Sequence, residues 1–246
     1  DGARLFTAIG NTEATIWSVA DGSQVTSVIL PAPEGPAGRP PLGPRTAVTG
    51  DLRLAAQAIG GGGIRVLDLV AGRVLWSARA ADEEVTALAF SADGRRLASG
   101  AGFVESAVRL WDVAAGREVA RLEGHRTYVR SLLFWPDGET LASGSGDQTI
   151  HLWDLGSLGS SPPLPVRAGS GLVGAGDPLE PHATRPRVLG LRPAATLRGH
   201  RLEVWSLALC PDATTLVSGC KDGSVCVWDT ATLRRERAHV TLPVSV

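Results

Sequence analysis

Hydrophobic positions along this chain fall in short runs, each closed by a turn signal. Val129 to Phe134 is a β-rich run ended by Pro136-Asp137-Gly138, and Thr140 to Ser143 is a second run closed by Gly144 to Gly146. Thr149 to Trp153 follows, patterned as a strand packed by unlike neighbours on its two faces. Segments such as Glu118 to Leu122 supply a fourth strand in the connections. Four short strands about every 40 residues, separated by glycine turns, predict an all-β fold of propeller blades rather than a sandwich.

The pattern recurs as sequence. GHRTYVRSLLFWPDGETLASGSGDQTIHLWD, from Gly124, aligns without a gap on GHRLEVWSLALCPDATTLVSGCKDGSVCVWD, from Gly199. Both place a serine 18 residues after the histidine, an aspartate 4 further on and a tryptophan 6 beyond that. Three weaker copies precede them, ending at Trp17-Ser18, Leu67-Asp68 and Trp111-Asp112. The repeats are expected to occupy residues 1–30, 45–79, 80–122, 123–155 and 194–242. Pro/Gly-rich residues 31–44 read as a loop, and residues 156–193, rich in Pro, Gly and Ser, as a longer inserted mobile one.

Composition narrows the function classes. A formal net charge of −1 gives no whole-chain bias toward nucleic acid or an anionic membrane, and clustered basic and aromatic residues of a nucleic-acid platform are absent. No apolar run reaches the length of a membrane helix, so membrane insertion is not expected. Cys210, Cys220 and Cys226 lack disulfide or zinc spacing, and read as buried reduced thiols. No phosphate-loop motif occurs; Gly60 to Gly63 reads as a turn needing positive φ. Neither a cofactor nor a metal is expected. A cytoplasmic location is the expectation, and the start at Asp1 leaves a signal peptide or upstream domain open.

On the GH pair, the PDG turn, the Ser-Gly pair, the turn aspartate and the WD dipeptide, the chain resembles the WD-repeat (WD40-type) β-propeller family. That family's rings usually close with about seven blades, so five repeats imply part of a propeller. The resemblance also implies a buried hydrogen-bonded tetrad within each intact repeat. The sets would be His125, Ser143, Asp147 and Trp153, then His200, Ser218, Asp222 and Trp228. Their chemistry is self-consistent: an indole N–H donates to a hydroxyl, the hydroxyl to an imidazole, and the imidazole to a carboxylate. The third copy has Ala81 at the histidine position and Glu105 at the aspartate position, so no complete set is available there. Ser, His and Asp in one unit resemble a hydrolase triad, but the serine lies within a strand, outside any nucleophile elbow, and the set appears twice. They are assigned as structural, with no catalytic residue.

Partner binding is expected on the rim where, in the resembled family, the connections entering the first strand and leaving the second gather. Glu84, Thr86, Tyr128, Arg130, Glu203, Trp205 and Lys221 are the matching residues, placed facing away from Val85, Val129 and Val204. The functional reading is a non-catalytic protein-interaction scaffold whose partners are other proteins or peptides. The alternative is a regulatory or sensor region of a larger bacterial signalling protein, such as one with a kinase domain; a propeller enzyme ranks third.

Overall fold

The computed structural model describes residues 4–9, 13–18, 20–29, 46–102, 104–159 and 188–241. The loop expected over 31–44 lies outside them. The described strands form five sheets. The first is β1 (Arg4–Ile9), β2 (Glu13–Ser18) and β3 (Gln24–Ile29). The second is β4 (Thr46–Val48), β5 (Leu54–Ile59), β6 (Gly63–Asp68) and β7 (Arg73–Arg79). The third begins as β8 (Val85–Phe90), β9 (Arg96–Ala101), β10 (Val108–Asp112) and β11 (Arg117–Leu122). The fourth contains β12 (Val129–Phe134), β13 (Thr140–Ser145) and β14 (Thr149–Asp154).

The return from the long insertion is ordered at both ends, where a mobile loop was expected. Gly156–Leu158 form a 3-10 turn, and β15 (Leu189–Leu191) adds a fifth strand to the third sheet, parallel to β11. Residues 160–187 lie outside the described set. Next, β16 (Ala195–Arg198) pairs with β14 and completes the fourth sheet, so the start of the 194–242 segment belongs to the preceding blade. The fifth sheet is β17 (Val204–Leu209), β18 (Thr215–Cys220), β19 (Ser224–Asp229) and β20 (Arg235–Thr241). The blade pairings are antiparallel, as tight turns between consecutive strands require. At the predicted glycine turn, Gly61 and Gly62 adopt positive φ.

Sheets two to five stack face to face in chain order without closing a ring, so the fold is a partial β-propeller. In sheets three to five, the face bearing the tryptophan of the WD pair packs on the opposite face of the sheet before it. Trp111, Leu97 and Phe90 of the third sheet meet Ala56, Ile64 and Val66 of the second. Trp153, Leu141 and Phe134 then meet Ala98, Val108 and Leu110, and Trp228, Leu216 and Cys226 meet Ala142, Ile150 and Leu152. Burial follows from this stacking. β9 is buried along both faces, whereas β18 and β19 alternate buried with half-exposed positions. A strand covered on one face only shows that alternation.

The Ser-Gly pairs of the third and fourth sheets set the spacing to the next blade. A Cβ on Gly100 would lie 2.8 Å from Val129, and one on Gly144 would lie 2.7 Å from Val204. Each glycine therefore admits the first valine of the next blade, and a larger residue would force the sheets apart.

Candidate functional site

Two constellations arise where the blades meet: the buried tetrads and the polar cluster on the rim. In the fourth sheet Ser143, on β13, stands opposite His151 and beside Trp153 of β14. Its hydroxyl accepts from Trp153 Nε1 at 2.8 Å and pairs with His125 Nε2 at 2.7 Å. His125 Nδ1 reaches Asp147 Oδ2 at 3.0 Å, and the Arg126 amide also donates to that oxygen. Thr149 donates its amide and its hydroxyl to Asp147 Oδ1, at 3.0 and 2.6 Å. Burial opposes ionisation of Asp147, yet the His125 and Thr149 hydrogen bonds outweigh it and hold the carboxyl far below the usual range.

In the fifth sheet Ser218 accepts from Trp228 Nε1 at 2.8 Å and pairs with His200 Nε2 at 2.6 Å. The Cys226 thiol, whose pKa burial raises, lies 3.7 Å from His200 Nδ1. Asp222 accepts from the Ser224 amide at 2.9 Å. The third sheet keeps only the inner half of the arrangement, with Trp111 Nε1 donating to Ser99 at 2.9 Å. Ala81 is buried at the histidine position, and Glu105 turns to Arg109 at 2.7 Å and Arg121 at 3.3 Å.

His151, which sequence reasoning did not single out, stacks on His125 with centroids 3.9 Å apart and ring planes 5° from parallel. Burial, with the nearby His125 and Arg198, lowers its pKa to about 4. His125, Asp147 and His151 place potential metal-ligand atoms within 4.8 Å of one another. However, both His125 nitrogens already have partners. Lone pairs lie in the ring planes, and two stacked, parallel rings aim theirs side by side rather than at a common point. This geometry does not make a tetrahedral or octahedral site.

The rim cluster joins two blades. Trp205 Nε1 donates to Glu203 Oε2 at 2.8 Å, and Lys221 Nζ donates to Glu203 Oε1 at 3.0 Å. The Arg130 guanidinium of the fourth sheet lies 4.9 Å from the Tyr128 ring centroid and 5.8 Å from that of Trp205. Lys221 Nζ lies 6.0 Å from the Trp205 centroid, so the indole carries two cations at cation–π range. Hydrogen bonds from Trp205, Tyr128 and Lys221 hold Glu203 at a pKa of about 2. Burial, together with Glu203, raises the Tyr128 phenol.

Five of the seven expected rim residues therefore converge: Tyr128, Arg130, Glu203, Trp205 and Lys221. Trp205 stays 49% exposed and is the large apolar surface of the group. Tyr128 departs from the outward placement expected for it and is buried, its ring lying over Gly146, where a Cβ would come within 2.7 Å. Thr86 also departs from it: its hydroxyl donates to Val129 O at 2.5 Å and Gly100 O at 3.2 Å, tying β8 to the next blade. Glu84 is exposed on the third sheet. Of the three cysteines, all reduced, Cys220 and Cys226 are buried, and Cys210 is half-buried rather than buried as expected.

A family model described as WD domain, G-beta repeat matches residues 72–112, 116–154 and 191–229. No curated protein matches the chain. Among the described residues no helix is long and apolar enough to cross a membrane.

Proposed function

The chain belongs to the WD-repeat family, typically non-catalytic scaffolds that mediate protein interactions, and from that premise we propose that it binds a protein or peptide through the Tyr128–Arg130–Glu203–Trp205–Lys221 rim. One observation carries this reading: side chains from two blades converge on an indole that stays half-exposed. Tryptophan, tyrosine and arginine dominate binding hot spots, and an indole held by its Nε1 bond loses little freedom on binding. Arg130 and Lys221 flank it with positive charge, which suits a partner segment bearing an acidic side chain.

The tetrads support the non-catalytic part of the proposal. Ser143 and Ser218 are fully buried and already bonded to indole and imidazole, so neither hydroxyl is presented to a substrate. Affinity capture with the chain and with a Trp205→Ala/Lys221→Ala double variant tests the proposal. The expected result is loss of the proteins captured by the wild type at an unchanged melting temperature. Full retention of every one of them would overturn the assignment of the rim.

A further inference from the structure

We infer that the cleft beside the Gly124–His125 turn of the fourth sheet binds a phosphate group. The cleft has a volume of about 250 Å³, with Arg126, Arg192, Arg198, His151, Thr196 and Asp147 in its lining. This is smaller than the pockets of drug-sized ligands and suits a tetrahedral oxyanion on a short stem.

Three observations converge on an anion. His151 is 5% exposed, and its Nδ1 is buried without a hydrogen-bond partner among the described residues. Such orphaned atoms are uncommon, and each calls for a partner. Arg126 and Arg198 are exposed, and neither guanidinium has an ion pair among the described residues. Finally, the two carboxylates of the lining are already engaged. Asp147 takes hydrogen bonds from His125, Thr149 and the Arg126 amide, and Glu123 is matched by Arg192 at 3.6 Å. The uncommitted charge facing the cleft is positive.

The uncommitted arginines arrive from two segments, the turn after Gly124 and the end of β16, while Arg192, after β15, is matched by Glu123. Guanidinium forks from two segments match the three oxygens and double charge of a phosphate monoester better than a planar carboxylate. The matching place in the fifth sheet is filled. There Arg235 donates to Gly199 O at 3.2 Å and lies 4.0 Å from Cys226 Sγ, the residue equivalent to His151.

Calorimetric titration of the full chain with inorganic phosphate, O-phosphoserine and acetate at fixed ionic strength is the test. Phosphate and phosphoserine should bind, with acetate at least tenfold weaker. Arg126→Gln and Arg198→Gln should each weaken phosphate binding by about tenfold or more. Arg117→Gln, an exposed arginine on β11, should not change it. Tighter binding of phosphoserine would identify a phosphorylated side chain as the source, and equal binding would identify free phosphate. No binding of either, acetate binding as tightly, or an equal loss in Arg117→Gln would overturn the site.

Discussion

The fourth and fifth sheets are near-copies in sequence, yet they complete the same interior with different partners. Both join tryptophan, serine and histidine with bonds of 2.6–2.8 Å. Outward from the histidine they diverge. His125 lies flat on His151, whereas the equivalent residue beside His200 is Cys226, its thiol 3.7 Å from Nδ1. At the rim, the Tyr128–Gly146 pair of one copy becomes the Glu203–Lys221 pair of the other. A bulky ring needs a glycine opposite it, and a carboxylate takes an ammonium. The comparison teaches that the shared positions build blades, while the differing ones alter surface chemistry in compensated pairs.

The largest effect that could break this comparison is on the tetrads. His125→Ala removes bonds to Ser143 and Asp147 and the face of His151, and should cost about 3 kcal/mol. His200→Ala should cost about 2 kcal/mol by the same principles, because Cys226 stands where His151 offers His125 a stacked ring face. Urea denaturation of both variants checks the order, and equal losses would mean that the His151 ring face adds nothing over Cys226.

A transplant of the rim pair comes next. Gly146→Lys alone should destabilise by about 1–3 kcal/mol, since the new side chain collides with Tyr128. Adding Tyr128→Glu should recover most of that loss by recreating the fifth sheet's pair, as a double-mutant cycle would read.

The pH dependence distinguishes the copies more finely. His151 has a folded pKa of about 4 against an ordinary 6.5, so between these values the unfolded chain binds the extra proton. Stability should fall as pH drops through that window, and His151→Phe should flatten the fall. Thermal melts from pH 7 to pH 4 report it. Asp147 acts lower still: its depressed pKa adds stability present above the ordinary carboxylate range and lost only in stronger acid. The smallest effect belongs to Lys221→Ala, whose exposed ion pair should contribute under about 1 kcal/mol.

Much of the fold is legible in the sequence because each blade is a local unit of turns and strands. The GH, PDG and WD positions mark the turns and the tryptophan face, and the Ser-Gly pair marks where the next valine approaches. The exchange of β16 into the fourth sheet is not legible, since that strand follows a long insertion and its pairing is nonlocal. Nor is β15, whose parallel pairing with β11 leaves no local pattern. Within the rim, the alternation around Val129 and Val204 points to Arg130 and Trp205, but it cannot show that Tyr128 folds inward. That depends on the missing side chain at Gly146. His151 escaped notice because its role comes from a ring stacked across the strand order, not from spacing.

We propose that the interior shared by the two copies builds the blades and that the divergent rim binds a partner. It is tested most directly by a photo-crosslinking residue placed at position 205 and, separately, at exposed position 70 on the second sheet's β6–β7 turn. A covalent adduct with a partner protein is expected from position 205 and none from position 70. An adduct from position 70 alone would contradict it.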